Sequence, residues 1–114
     1  MNKLKIYQCQ ICGNVVVEYG NAKHECCGVS MQLLKVQKAD AKHMPVVSEI
    51  DGESYLEFSH PMEKGHYLSA VIQETYDRHL LVRLYPEQAA EVRLPLMPQA
   101  KVYVVCSKEG AFEV

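Results

Sequence analysis

Residues 66–76, with the sequence HYLSAVIQETY, form the longest candidate strand of the chain. Apolar, aromatic and β-branched side chains occupy most of these positions, which favours an extended backbone. Asp77 and Arg78 follow as a turn, and residues 79–85 (HLLVRLY) provide a second strand. The sequence therefore predicts a β-hairpin in the second half of the chain.

Short candidate strands lie on both sides of this hairpin. Residues 46–50 and 54–58 flank the dipeptide Asp51-Gly52, which is typical of two-residue hairpin turns. Residues 91–94 and 101–106 have further apolar and β-branched side chains. No segment sustains the 3.6-residue apolar period of an amphipathic helix. About six or seven short strands separated by turns predict a β-sandwich.

Composition limits the classes of protein that fit. The chain has 114 residues, 48% hydrophobic and 23% charged, as in one globular domain or two very small ones. Its net charge of −2 argues against nucleic acid and anionic membranes as partners. No apolar run reaches the roughly 18 residues of a transmembrane helix, and the N-terminus has no signal-peptide pattern. We therefore expect a cytoplasmic protein.

Five cysteines are an unusual number for such a chain. Disulfides are rare in the cytoplasm, and an odd count cannot pair completely within one chain. Cys9 and Cys12 form a Cys-x-x-Cys motif, Cys26 and Cys27 are adjacent, and Cys106 is isolated near the C-terminus. Metal binding is the leading explanation for this distribution.

The four N-terminal cysteines indicate one shared metal ion. The Cys-x-x-Cys motif places two thiolates on one tight turn, and Gly13 permits the backbone geometry that follows it. The adjacent pair can reach the same metal only if the backbone is bent, which Gly28 allows. Four thiolates suit zinc, a single iron or an iron–sulfur cluster, so the donor set alone leaves the metal open.

Three histidines and the fifth cysteine suggest a second site. His43, His60 and His66 each lie within two residues of a proline or glycine that marks a loop or strand end, and Cys106 ends an apolar strand. Imidazoles together with one thiolate suit iron, copper or zinc. The alternative is a buried, apolar cysteine with unrelated histidines.

The same residues resemble a known family. Residues 7–14 (YQCQICGN), followed by Cys26-Cys27-Gly28, resemble the desulforedoxin-type head of desulfoferrodoxins. Residues 43–47 (HMPVV) and 60–67 (HPMEKGHY) resemble the neelaredoxin-like body of superoxide reductases. The resemblance covers essentially the whole chain in the family order, and it favours iron over zinc in the head.

The resemblance implies a mainly β protein with two mononuclear irons. It implies a desulforedoxin-like four-cysteine iron domain at residues 1–36, a linker with the first histidine ligand at 37–43, and an immunoglobulin-like, neelaredoxin-like β-sandwich at 44–114. The implied ligands are Cys9, Cys12, Cys26 and Cys27 for the first iron, and His43, His60, His66 and Cys106 for the second. Zinc stays an alternative in the four-cysteine site.

The activity implied by the resemblance is that of a superoxide reductase. Superoxide is reduced to hydrogen peroxide at a ferrous site whose sixth position is open, and Lys42 matches the family's lysine beside the first histidine. A cation there attracts the anionic substrate. The implied partners are a rubredoxin-like electron donor and a second copy of the chain in a homodimer.

Two departures from the family pattern affect the second site. The family reads approximately Cys-Asn-x-His-Gly after the ligand cysteine, whereas residues 106–110 here read CSKEG, so Glu109 occupies the position of the fourth histidine. Ala41 stands where the family often has glutamate. Glu109 is a candidate substitute ligand that favours ferric iron. With an impaired or empty second site, the protein is instead an electron-transfer or redox-sensing protein that uses only the head. A structural zinc protein is the third alternative.

Overall fold

The computed structural model describes residues 3–97 and 99–114; Met1 and Asn2, where the predicted head begins, and Pro98 lie outside the described residues. All regular secondary structure in the described part is β-strand, and no helix there is long and apolar enough to cross a membrane. The strands are β1 (Lys5–Gln8), β2 (Val15–Glu18), β3 (Glu25–Cys26), β4 (Val29–Ser30), β5 (Gln32–Leu34), β6 (Val36–Lys38), β7 (Val46–Ile50), β8 (Glu53–Glu57), β9 (Leu68–Glu74), β10 (His79–Arg83), β11 (Glu91–Pro95), β12 (Lys101–Cys106) and β13 (Gly110–Glu113). The prediction of a mainly β protein is confirmed.

The strands form a small head and a body of two sheets. The head has a three-stranded sheet, in the order β2-β1-β5, and the hairpin β3-β4. The body has a five-stranded sheet, in the order β10-β9-β12-β13-β6, and a three-stranded sheet, in the order β11-β8-β7. The two body sheets pack face to face through a common apolar core, which is the predicted β-sandwich.

The interior strand β9 of the five-stranded sheet is buried on both faces. Every residue of β9 from Leu68 to Gln73 is buried. One core cluster joins Val71 of β9 to Leu56 of the three-stranded body sheet. A second cluster joins Ile72 of β9 to Ile6 of the head. The head sheet, the five-stranded sheet and the three-stranded sheet therefore form three successive layers.

The two hairpins predicted from the sequence are confirmed. β7 and β8 pair in antiparallel register on either side of Asp51 and Gly52. These two residues have φ angles of 51° and 78°, the left-handed backbone that a two-residue hairpin turn requires. β9 and β10 also pair, with His79 opposite Glu74.

The segment predicted as a linker, residues 37–43, begins inside a strand. Gln37 and Lys38 belong to β6, which pairs in parallel with β13 at the edge of the five-stranded sheet. Their side chains are exposed, because an edge strand accommodates polar residues, and local composition does not separate such a strand from a linker. β13 has no counterpart among the predicted strands. The division of the chain at residue 36 stays a prediction.

We expect Ile72→Ala to lower the free energy of unfolding by about 2–5 kcal/mol, because it leaves a cavity between the five-stranded sheet and the head. Urea unfolding of the purified chain measures this loss. Leu80→Ala on the neighbouring strand is the matched control, since Leu80 is 42% exposed. A similar loss in both variants would contradict a tightly packed contact between these two layers.

Candidate metal centres

The four N-terminal cysteines converge at one end of the head. Cys9 and Cys12 lie in the segment after β1, Cys26 ends β3, and Cys27 begins the turn to β4. The four sulfur atoms all lie within 4.8 Å of one another. The Sγ–Sγ distance is 3.5 Å for Cys12–Cys26 and 3.9 Å for Cys26–Cys27. Cys9 is buried whereas Cys12 and Cys27 are exposed, so the cluster borders the protein surface.

A left-handed backbone brings the adjacent cysteine pair onto this cluster. Cys27 has φ 55° and Gly28 has φ 76°, and a positive φ is uncommon at a residue other than glycine.

The thiols of this cluster have shifted pKa values. The backbone N–H of Cys12 points at Sγ of Cys9, 3.5 Å away, and is the largest factor that lowers the pKa of Cys9 to about 6. The neighbouring thiols, that of Cys12 foremost, raise the pKa of Cys27 to about 12. Four sulfurs so close together fit one tetrahedral metal ion, which binds them as thiolates.

The second predicted site lies at one end of the β-sandwich. His43 lies in the turn between β6 and β7, His60 and His66 lie between β8 and β9, and Cys106 ends β12. Glu109 lies in the turn between β12 and β13. One ligand atom from each of His43, His60, Cys106 and Glu109 lies within 4.8 Å of all the others. We call these four residues the body cluster.

One carboxylate oxygen stands among the candidate ligands. Oε1 of Glu109 lies 2.9 Å from Nε2 of His66, 3.5 Å from Nε2 of His43, 3.9 Å from Nε2 of His60 and 3.7 Å from Sγ of Cys106. His66 is outside the mutually close set and reaches it through Glu109. Oε1 of Glu109 is therefore in close contact with a ligand atom of every other candidate ligand.

Two of the imidazoles have a hydrogen-bond partner at Nδ1, the ring nitrogen that faces away from the cluster. Nδ1 of His43 lies 2.6 Å from Oδ1 of Asp40, and Nδ1 of His60 lies 2.8 Å from the carbonyl oxygen of Pro61. Nε2 of each ring is buried and has no hydrogen-bond partner among residues 3–97 and 99–114. A buried, unpaired nitrogen is unfavourable. A metal ion bound by imidazole, thiolate and carboxylate would satisfy both nitrogens, so these residues fit a transition metal.

Protonation of these groups also bears on metal binding. Burial lowers the pKa of His60, which favours the neutral imidazole that a metal requires. Partial desolvation opposes the charge on Glu109, but the hydrogen bond with His66 and the nearby imidazoles hold its pKa below the usual value. Burial raises the pKa of the Cys106 thiol, so metal binding there must displace a proton.

Comparison with known proteins identifies the family. Residues 1–34 match the family described as "Desulfoferrodoxin, N-terminal domain". The chain is 34% identical over 108 residues to the desulfoferrodoxin of Desulfarculus baarsii, an alignment that covers 88% of this chain and 85% of the relative. The chain belongs to the desulfoferrodoxin family. The desulfoferrodoxin of Syntrophotalea carbinolica is 32% identical over 117 residues, covering 95% of this chain and 93% of the relative.

A solved structure shares the fold. The superoxide reductase from Treponema pallidum superposes with a TM-score of 0.78 at 20% sequence identity, and the match covers 100% of this chain and 99% of that one. The likeness supports the fold, in which a small β-stranded head precedes a β-sheet body. The four-cysteine cluster and the body cluster are two candidate metal sites, consistent with the iron sites of desulfoferrodoxins.

Lys42 has an exposed side chain. The family resemblance predicts that this residue attracts the anionic substrate to the second site. The backbone N–H of Lys42 donates to Oδ1 of Asp40 at 3.1 Å. Within the described part of the chain, its ammonium group has no hydrogen bond or ion pair that would hold it in place. The catalytic role of Lys42 stays a prediction.

Two residues beside the body cluster have no counterpart among the predicted site residues. Asp40 contacts His43 from within the segment predicted as a linker. Phe112 stacks on the His43 ring, with centroids 3.9 Å apart and planes at 13°. An aspartate three residues before a histidine is a signal that local sequence offers. The contact with Phe112 joins distant parts of the chain and has no local signal.

The head and the body cluster are also linked by packing. A Cβ atom at Gly13, next to Cys12, would lie only 3.2 Å from the hydroxyl of Tyr67. The N–H of Tyr67 donates to Oγ of Ser107 at 3.0 Å, and the N–H of Ser107 donates to the carbonyl of Tyr67 at 2.8 Å. Because Tyr67 and Ser107 directly follow His66 and Cys106 in sequence, the head rests on the segments that carry the second site.

We expect Cys26→Ser to remove metal from the head while the body keeps its own, because the two donor sets share no residue. Cys106→Ser should have the converse effect. Elemental analysis of anaerobically purified protein, together with visible absorption spectra, distinguishes the two losses. Loss of both metals in either variant would contradict two independent sites.

Proposed function

We propose that the chain is a non-haem iron oxidoreductase that reduces superoxide to hydrogen peroxide at the body cluster. One observation carries the proposal: the buried, unpaired Nε2 atoms of His43 and His60 converge with Cys106 and Glu109. Family membership favours iron as the metal. Each turnover takes one electron and two protons per superoxide and yields one hydrogen peroxide.

Iron held in this cluster would supply the one-electron redox chemistry that the reaction needs. We propose His43, His60, His66 and Cys106 as its ligands, with Glu109 as a substitute for the family's fourth histidine. The thiolate of Cys106 is an electron-rich donor that favours release of an electron from the metal. The carboxylate of Glu109 opposes this effect, because an anionic oxygen ligand stabilises the ferric state.

Exposed groups beside the cluster suit it to an anionic substrate. Lys42 immediately precedes His43, and its exposed ammonium group would attract superoxide to the site. The Glu109 side chain is 36% exposed, so water reaches the cluster and can deliver the two protons. The sandwich interior behind Cys106 is apolar, so we infer that substrate and protons arrive from the Glu109 side.

We propose that electrons enter through the head. Residues 1–36 would form the first iron domain, residues 37–43 the connection, and residues 44–114 the catalytic domain. Cys12 and Cys27 are exposed, which favours electron exchange with a docked protein of the rubredoxin type. A homodimer is the proposed assembly, on the basis of the family resemblance.

A second candidate function is electron transfer or redox sensing by the head alone. The position of His66 favours it, since this residue lies outside the mutually close set and contacts Glu109 instead. In that case the four-cysteine site would hold iron while the second site stays impaired or empty. Two irons per chain would support the enzyme, and one iron would support the alternative.

We expect Glu109→His to raise the rate of superoxide reduction by about 10-fold, because replacing an anionic ligand with an imidazole makes the ferrous state easier to maintain. Superoxide consumption after pulse radiolysis measures the rate. Glu57→His, at an exposed position of β8, is the matched control. If the unaltered chain already equals Glu109→His, Glu109 does not limit the site.

We expect Lys42→Ala to lower the second-order rate constant for superoxide by about 3- to 10-fold at low ionic strength, because one attracting charge is lost. The difference should shrink as salt is added and the charge is screened. Lys101→Ala, at the opposite end of β12 from Cys106, is the control. A deficit that does not respond to salt would argue against electrostatic attraction by Lys42.

A further inference from the structure

Asp40 lies at the centre of a short network directly behind the body cluster. Its Oδ1 accepts hydrogen bonds from the backbone N–H of Lys42 and of His43, each at 3.1 Å. The same oxygen lies 2.6 Å from Nδ1 of His43. The preceding residue is anchored as well, since the N–H of Ala39 donates to the carbonyl of Glu113 at 2.9 Å. The position of the carboxylate is therefore determined by the backbone on both sides.

This network leaves His43 little freedom. The imidazole is fully buried, and the ring of Phe112 stacks on it and fixes its plane. The hydrogen bond to Asp40 then places the proton on Nδ1 and leaves the lone pair of Nε2 directed towards the cluster. Rotating the ring by 180° would break this bond and turn Nδ1 towards the cluster instead.

Asp40 differs in charge from the group behind His60. Nδ1 of His60 faces the neutral carbonyl of Pro61, whereas Nδ1 of His43 faces a carboxylate. An anionic partner increases the electron density of the imidazole and stabilises positive charge on the ring and on a metal bound to it. The Asp40 side chain is 55% exposed, so solvent weakens this effect without removing it.

We propose that Asp40 is a positioning residue that orients His43 for metal binding and lowers the reduction potential of the body metal. The inference rests on the proposed metal site but not on the reaction with superoxide. Asp40 would have two separable effects. Its hydrogen bonds orient the ligand His43, and its charge stabilises the oxidised metal. Asparagine retains the accepting oxygen and loses the charge, and alanine loses both.

The test compares Asp40→Asn and Asp40→Ala in the full chain. Iron affinity of the body site is measured by competition with a chelator, and the midpoint potential by a redox titration followed by absorption. We expect Asp40→Ala to weaken iron binding about 10- to 100-fold and to raise the potential. Asp40→Asn should bind iron within a few-fold of the unaltered chain but show the same direction of shift in potential.

Asp77→Asn is the matched control, since Asp77 is a surface carboxylate that pairs with Arg78, and it should change neither quantity. Urea unfolding of the metal-free variants shows whether the turn has been disrupted. An unshifted potential in Asp40→Asn would overturn the electrostatic role, even if Asp40→Ala fails to fold. Unchanged affinity in Asp40→Ala would overturn the orienting role. If both effects are observed but the unaltered, iron-loaded chain does not reduce superoxide, the proposed function is refuted and the role of Asp40 stands.

Discussion

Burial of β9 on both faces is the constraint from which the rest of the structure follows. A strand in this position needs an apolar layer above it and another below it, and the head and the three-stranded sheet provide them. Its one long polar side chain that is buried, Gln73, donates a hydrogen bond from Nε2 to the carbonyl of Pro95 at 2.8 Å. The body cluster lies at the end where β9 begins, and the close approach of Gly13 to the Tyr67 hydroxyl places the Cys-x-x-Cys segment of the head against the residues just before β9.

Features encoded locally could be predicted from the sequence. The dipeptide Asp51-Gly52 predicts a hairpin turn by itself, and the apolar run that contains β9 predicts a strand without knowledge of the strands beside it. The four-cysteine cluster was also accessible, because Cys-x-x-Cys and the adjacent pair each carry their geometry within a few residues. The histidines are single residues without local spacing, so the residues alone only suggested a second site, and the family resemblance implied which of them are ligands.

Features that depend on distant pairing could not be predicted. β6 is a strand only because β13 lies beside it, and its polar residues otherwise suit a linker. The stacking of Phe112 on His43 likewise depends on this pairing, because Phe112 belongs to β13. The family resemblance predicts Glu109 at the position of the fourth histidine, but the convergence of three imidazoles and a thiol on Oε1 of Glu109 emerges only from the folded arrangement.

The parallel pairing of β6 with β13 has a consequence for folding kinetics. It joins residues near Val36 to residues near Ala111, which are among the most distant contacts in the described chain, and such contacts form slowly because a long loop must close first. Phe112 reaches His43 only after this pairing, and Glu109 lies at the base of the same strand. The head needs only nearby residues to complete its four sulfurs. The four-cysteine cluster can therefore form before the body cluster during folding.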